Sequence, residues 1–206
     1  MPDITIVCYG DSITYGYCAE YGKDYVSLFK NKVKEDFPEA SIIIKNRGEN
    51  GENSRDGLKR LDAHILSYKT DMVIMLFGSN DSAYNIWQHV GIEEFSYNYD
   101  MMLSVMKKSG IKAVLITPPP VIEDEEYPFI ENDVLNKYCE LIRKKAELNA
   151  LPLVDMNRAF SEKGNLKALL QWDGVHISTE GYQLFFDTVY ETVKPLIEDM
   201  LKDMQP

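Results

Sequence analysis

The chain has 206 residues, enough for one domain with a sizeable core, and its 45% hydrophobic content is ordinary for a globular protein. Acidic residues outnumber basic ones 33 to 22, and the resulting net charge of −11 repels nucleic-acid phosphates and anionic lipid surfaces. No apolar run reaches the length of a membrane-spanning helix, and the N-terminus enters a strand without a charged-then-apolar leader. Cys8, Cys18 and Cys139 are odd in number and lack a Cys-x-x-Cys spacing, which argues against a disulfide framework or a structural zinc site. The expectation is a reduced, cytoplasmic protein with no nucleic-acid or membrane partner.

In chain order, Ile4 to Tyr9 is an apolar, β-branched run that reads as a buried strand, and Gly10-Asp11-Ser12-Ile13-Thr14 follows as a loop. Tyrosines cluster at Tyr15, Tyr17, Tyr21 and Tyr25 before a helix from about Asp24 to Asp36, stopped by Pro38. Ser41 to Lys45 is a second short strand. The polar, glycine-rich loop Asn46 to Glu52 leads to Asn53 or Ser54, either of which can cap a helix carrying Leu58, Leu61, Ile65 and Leu66. Asp71 to Phe77 is the third strand, ended by Gly78-Ser79-Asn80-Asp81. An aromatic connection with Tyr84 and Trp87 precedes a helix from about Glu93 to Ser109, closed by Gly110. Ile111 to Thr117 is the fourth strand, cut by Pro118-Pro119-Pro120. An acidic loop from Glu123 to Glu126 is followed by a helix of roughly Asn132 to Asn149 and a short fifth strand, Pro152 to Asp155. A poorly periodic stretch reaches Trp172-Asp173-Gly174-Val175-His176, and a last helix spans about Thr179 to Lys202, where Pro195 is expected to kink or break it.

Strand and helix alternate without repeat or linker, so residues 1–206 read as one domain. The fold class is α/β: a three-layer α/β/α sandwich on a five-stranded parallel sheet, with the flavodoxin-like order 2-1-3-4-5.

Ligands of such sheets bind beyond the carboxyl ends of the strands, and Ser12 lies there. A serine hydroxyl becomes a nucleophile only when a neighbouring base takes its proton. The candidate bases are His64, His89 and His176. His64 sits within a helix, as a surface or packing residue, and His89 lies in a loop with no carboxylate close in sequence. His176 has Asp173 three residues before it, a spacing at which a carboxylate can fix the imidazole tautomer and stabilise the imidazolium. An oxyanion hole also needs donors. The candidates are the Ser12 N–H, the Gly51 N–H and the Asn80 side-chain amide. Taken singly, each of these stretches is also ordinary turn composition.

These four blocks together resemble the SGNH hydrolases, also called the GDSL lipase/esterase family. The landmarks match Ser12 in Gly10-Asp11-Ser12-Ile13-Thr14, Gly51 in the Asn46 to Asn53 loop, Asn80 in Gly78-Ser79-Asn80-Asp81, and His176 in Asp173-Gly174-Val175-His176. They stand in the family's order over nearly the whole chain. Ile13 and Thr14 depart from the residues many members carry, and Gly48 is an alternative to Gly51. Asn46-Arg47-Gly48 and Thr117-Pro118-Pro119-Pro120 look most like the branch that includes isoamyl acetate-hydrolysing esterases. No Gly-x-Ser-x-Gly elbow, Walker loop or His-Glu-x-x-His is present.

The resemblance implies hydrolysis of a carboxylic ester through an acyl-enzyme, with Ser12 as nucleophile, His176 as base, Asp173 orienting it, and no metal or organic cofactor. Asp11, Tyr15, Trp87, Tyr127 and Trp172 are the candidate substrate-binding residues, with Tyr17 and Phe129 at the same rim. The acidic loop beside them suits a small neutral ester or an acetylated sugar, the expected small-molecule partner, better than an anionic lipid. Acyl transfer or thioester cleavage would use the same residues. A non-catalytic, flavodoxin-like nucleotide- or flavin-binding domain is the contrasting reading. The number of subunits is left open.

Overall fold

The β-branched runs form strands β1 (Ile4–Gly10), β2 (Ile42–Gly48), β3 (Met72–Leu76), β4 (Lys112–Thr117) and β5 (Leu153–Asp155) in a computed structural model that describes residues 4–84, 87–123 and 129–204. All pairings are parallel and the order is β2-β1-β3-β4-β5, as expected from the sequence. β2 runs to Gly48, three residues beyond its expected end, because it pairs residue for residue with β1 as far as Gly10↔Gly48.

Successive side chains of a strand point to opposite faces, and here they divide between two cores. Ile6, Cys8, Ile74, Leu76, Val114 and Ile116 pack with α2 (Tyr25–Asp36), α7 (Met156–Lys163) and α9 (Thr179–Asp203). Val7, Tyr9, Val73, Met75, Ala113 and Leu115 pack on the other face with α3 (Ser54–His64), α5 (Ile92–Lys108) and α6 (Asn132–Leu148). The result is the three-layer α/β/α arrangement. Cys8 is fully buried in this packing, as a small hydrophobe would be.

Three short helices were not expected: α1 (Ser12–Tyr15), α4 (Ser79–Ser82) and α8 (Leu166–Leu169). A single turn has no apolar period to read. α7 also forms within the stretch that looked aperiodic. Of the two outcomes expected at Pro195, the break does not occur, because α9 continues through it as one helix. Val189, Val193, Ile197 and Met200 flank the proline and are all buried in one core, and their packing outweighs the roughly 3 kcal/mol that an interior proline costs. Among the described residues, no helix is long and apolar enough to cross a membrane, and no group of three or more side chains is placed to hold a metal ion.

Candidate active site

β1 delivers Ser12 through a passage that only glycine permits. A Cβ on Gly10 would lie 2.4 Å from both the Leu76 carbonyl and Thr14 Oγ1. Asp11 then caps α1, its Oδ1 accepting from the Ile13 N–H at 2.9 Å. Ser12 is the first residue of that turn, so its own N–H has no carbonyl four residues back. The turn ends at Gly16, with φ of 92°, and the Ser12 carbonyl accepts from the N–H groups of Gly16 and Tyr17.

The second component is a turn before α9. Asp173 Oδ1 accepts from the backbone N–H groups of Val175 and His176 at 3.0 and 2.9 Å, which leaves Oδ2 to meet His176 Nδ1 at 2.6 Å. Gly174 takes φ of 70°, and its carbonyl accepts from Ile122 N–H at 2.8 Å, which moors the turn to the segment after β4. A Cβ here would lie 2.5 Å from the Ile122 carbonyl, so the turn and the mooring both require glycine. His176 Nε2 lies 3.0 Å from Ser12 Oγ. A carboxylate can only accept, so Nδ1 carries the proton in the neutral ring and Nε2 offers its lone pair to the hydroxyl. Burial pushes the Asp173 carboxyl up, but the His176 side chain and the two backbone donors outweigh it and hold the group below its usual range. The Tyr17 ring lies against the imidazole, with centroids 4.5 Å apart.

Ser12 and His176 open on a cavity of about 500 Å3 that is also lined by Gly51 and Asn80. Gly51 sits at φ of 76° in a turn running from Glu49 to Glu52, where a Cβ would lie 3.3 Å from Gln88 Nε2. Gly48 is elsewhere. Its N–H donates to Asn46 Oδ1, and a Cβ on it would lie 2.0 Å from Tyr15 N, so it is the seat on which α1 rests. Asn46 completes that seat by donating to the Thr14 carbonyl at 2.8 Å. Asn80 stands on α4 just past β3, and its amide nitrogen donates one hydrogen to the Glu52 carbonyl at 2.7 Å, leaving the second available to the cavity.

The remaining expectations divide. Tyr17 and Phe129 line the cavity. Asp11 does not: it is 1% exposed, and its work is capping α1. Burial pushes its carboxyl up to about 7, and Oδ2 meets no described partner. Tyr15 ends α1 outside the lining, since α1 is held down on β2 through Asn46. Trp172 is also outside the lining. It is 91% exposed and borders a neighbouring depression that Asp173 and Gly174 also line. Trp87 is outside the lining but adjoins the rim, 3.8 Å from where a Gly51 Cβ would stand. Tyr127 lies outside the described residues. His64 and His89 do not line the cavity; His89 stacks on Tyr84. Gln88, Asn50, Ser79 and Val175 line it without having been anticipated. The available signal was adjacency, because each is within one residue of a residue already singled out.

A second buried carboxylate, Asp81, accepts from the Ser54 N–H at 2.9 Å and so ties α4 to the start of α3. Burial pushes it up to about 7, with the charge of Asp11 adding to the effect.

The model of the GDSL-like lipase/acylhydrolase family matches residues 8–184. The isoamyl acetate-hydrolyzing esterase of Saccharomyces cerevisiae is 29% identical, over 90% of this chain and 84% of its own. The acetylxylan esterase of Geobacillus stearothermophilus is 26% identical, over 85% of this chain and 87% of its own. In three dimensions, the lipase/acylhydrolase from Enterococcus faecalis superposes with a TM-score of 0.80 at 26% identity, covering 93% of this chain and 96% of that one. The chain belongs to the GDSL-like lipase/acylhydrolase family and is an enzyme of the esterase/acylhydrolase type. That membership sets aside the reading as a non-catalytic binding domain.

Proposed function

We propose that the protein hydrolyses short-chain, chiefly acetyl, esters of small neutral alcohols or sugars through an acyl-enzyme on Ser12. The observation that carries this reading is the continuous relay of Asp173 Oδ2, His176 and Ser12 Oγ, at 2.6 and 3.0 Å, opening on a cavity that Gly51 and Asn80 also line. His176 Nε2 takes the hydroxyl proton as Oγ attacks the ester carbonyl, and Asp173 stabilises the imidazolium that forms. The developing oxyanion is met by the N–H groups of Ser12 and Gly51 and by the free hydrogen of Asn80 Nδ2. His176 returns the proton to the leaving alcohol, and a water molecule repeats the sequence to release the acid.

Gly51 is assigned rather than Gly48 because the Gly48 N–H is already held by Asn46 and its backbone is covered by α1. Substrate class rests on three supports. Among the described residues, no lysine or arginine lines the cavity to hold an anionic acyl group or headgroup. Its volume of about 500 Å3 is modest for a ligand site. Two relatives are named for acetate esters, isoamyl acetate and acetylxylan.

Ser12→Ala tests the catalytic assignment: turnover of nitrophenyl acetate is expected to vanish while the fold, read by circular dichroism, is kept. Activity near the wild-type level in that variant overturns it. A series of nitrophenyl esters from acetate to octanoate, with acetylated oligosaccharides alongside, tests the substrate class. The rate is expected to peak at acetate, and a peak at octanoate refutes the short-acyl reading. Competing alcohols in the same assay separate hydrolysis from acyl transfer, since only transfer yields a new ester.

A further inference from the structure

Arg60 takes no part in the relay, yet its guanidinium bonds the strand that delivers Ser12 and the turn that carries Gly51, and that turn in turn holds Asn80. It projects from α3, its side chain only 12% exposed, and lies 4.3 Å from the Tyr9 ring centroid. Nη2 donates at 2.9 Å to the carbonyl of Gly10, two residues before Ser12. Nη1 donates at 3.0 Å to the Arg47 carbonyl at the end of β2, and also meets His64 Nδ1 at 3.0 Å. Nε pairs with the carboxylate of Glu52, which closes the turn that carries Gly51. The backbone carbonyl of this same Glu52 holds the Asn80 amide at 2.7 Å. Gly10 O also accepts from Glu49 N–H at 3.0 Å, so the turn is fixed at both ends to the strand that delivers Ser12.

We infer that Arg60 is a positioning residue for the oxyanion hole: one guanidinium sets the separation of the Ser12 seat and the Gly51 turn and, through the Glu52 carbonyl, the orientation of the Asn80 amide. The inference rests on the assignment of those three donors made above. The planar fork suits the task, because four of its five N–H groups point at acceptors on different segments in fixed directions. A lysine ammonium keeps the charge but cannot span them. For this arrangement His64 must accept at Nδ1, so it is neutral; burial and the adjacent Arg60 charge both hold its pKa below the ordinary value.

Donors misplaced relative to the transition state are lost in kcat more than in KM. Arg60→Met and Arg60→Lys are therefore made beside Ser12→Ala, with two readouts on nitrophenyl acetate: the split between kcat and KM, and inhibition by a methylboronic acid, whose tetrahedral adduct occupies the same donors. Both arginine variants are expected to lose about 10- to 100-fold in kcat, up to the loss of a single oxyanion donor, with KM changed by less than about threefold. Boronate affinity should fall in parallel, and the acid limb of the pH–rate profile should stay in place because the Asp173–His176–Ser12 relay is untouched. A purely structural arginine would lower the melting temperature while leaving kcat and boronate affinity of the folded protein unchanged, and that result overturns the inference. If Arg60→Met does not fold, Arg60→Lys decides it on the same readouts. Wild-type kcat in the arginine variants beside an inactive Ser12→Ala refutes only the role of Arg60, whereas an active Ser12→Ala refutes the site assignment beneath it.

Discussion

Replacing Asp173 by asparagine reverses one proton without removing a heavy-atom contact. The oxygen of the new amide can still accept from the Val175 and His176 N–H groups, so the turn that Gly174 moors to Ile122 is retained. The atom facing His176 Nδ1 across 2.6 Å becomes an NH2 donor, however, and forces Nδ1 to accept. The imidazole then carries its proton on Nε2, the nitrogen 3.0 Å from Ser12 Oγ, and can no longer take the hydroxyl proton. Loss of the working tautomer, together with loss of the charge that stabilises the imidazolium, is expected to cost about 10⁴-fold in kcat/KM, or roughly 5.5 kcal/mol at the barrier. Folding should suffer far less. Two backbone hydrogen bonds change from a charged to a neutral acceptor, at about 1 kcal/mol each, or a melting temperature lower by several degrees. The assay is kcat/KM for nitrophenyl acetate from about pH 6 to about pH 9, with near-ultraviolet circular dichroism confirming the fold. A folded Asp173→Asn enzyme within tenfold of wild type across that range would refute the reasoning.

The two loop glycines should separate stability from activity. Gly48→Ala drives a methyl to 2.0 Å from Tyr15 N and unseats α1, so both melting temperature and activity should fall, with overpacking alone costing about 1–3 kcal/mol. Gly51→Ala meets nothing closer than Gln88 Nε2 at 3.3 Å but strains a φ of 76°, so it should cost about 1–2 kcal/mol of stability while kcat drops by about tenfold or more. Equal kcat losses relative to stability in the two variants would count against the assignment of Gly51. The buried Asp81 holds its proton to about pH 7 in the folded chain but releases it near its ordinary value when unfolded, so it erodes stability as pH rises between those limits. Asp81→Asn removes that slope: its melting temperature should gain on wild type between about pH 5 and about pH 8, whatever the constant offset. A difference that does not change with pH would mean that Asp81 is charged throughout.

Much of this architecture is written in local patterns. The β-branched runs and their glycine stops specify strands whose carboxyl ends carry Ser12 and Asn80, and the three-residue spacing of Asp173 and His176 is enough to bring carboxylate and imidazole together. Such features depend on neighbours in sequence, and so the fold class and the relay residues were legible in the chain alone. What sequence left undecided depends on contacts between distant segments. Gly48 and Gly51 look alike in the chain, and only the packing of α1 on β2 makes one a seat and the other part of the cavity wall. Asp11 sits beside the candidate nucleophile, but its burial turns it toward capping rather than substrate. Pro195 has the local chemistry of a helix breaker, overruled by the buried residues on either side of it. Arg60, on a helix after the second strand, has no sequence signal at all, because its importance lies in the acceptors on Glu52, Arg47 and Gly10, 8 to 50 residues away, that converge only when the sheet forms. Local sequence determines which groups stand at the sheet's edge, and tertiary packing decides which of them face the cavity.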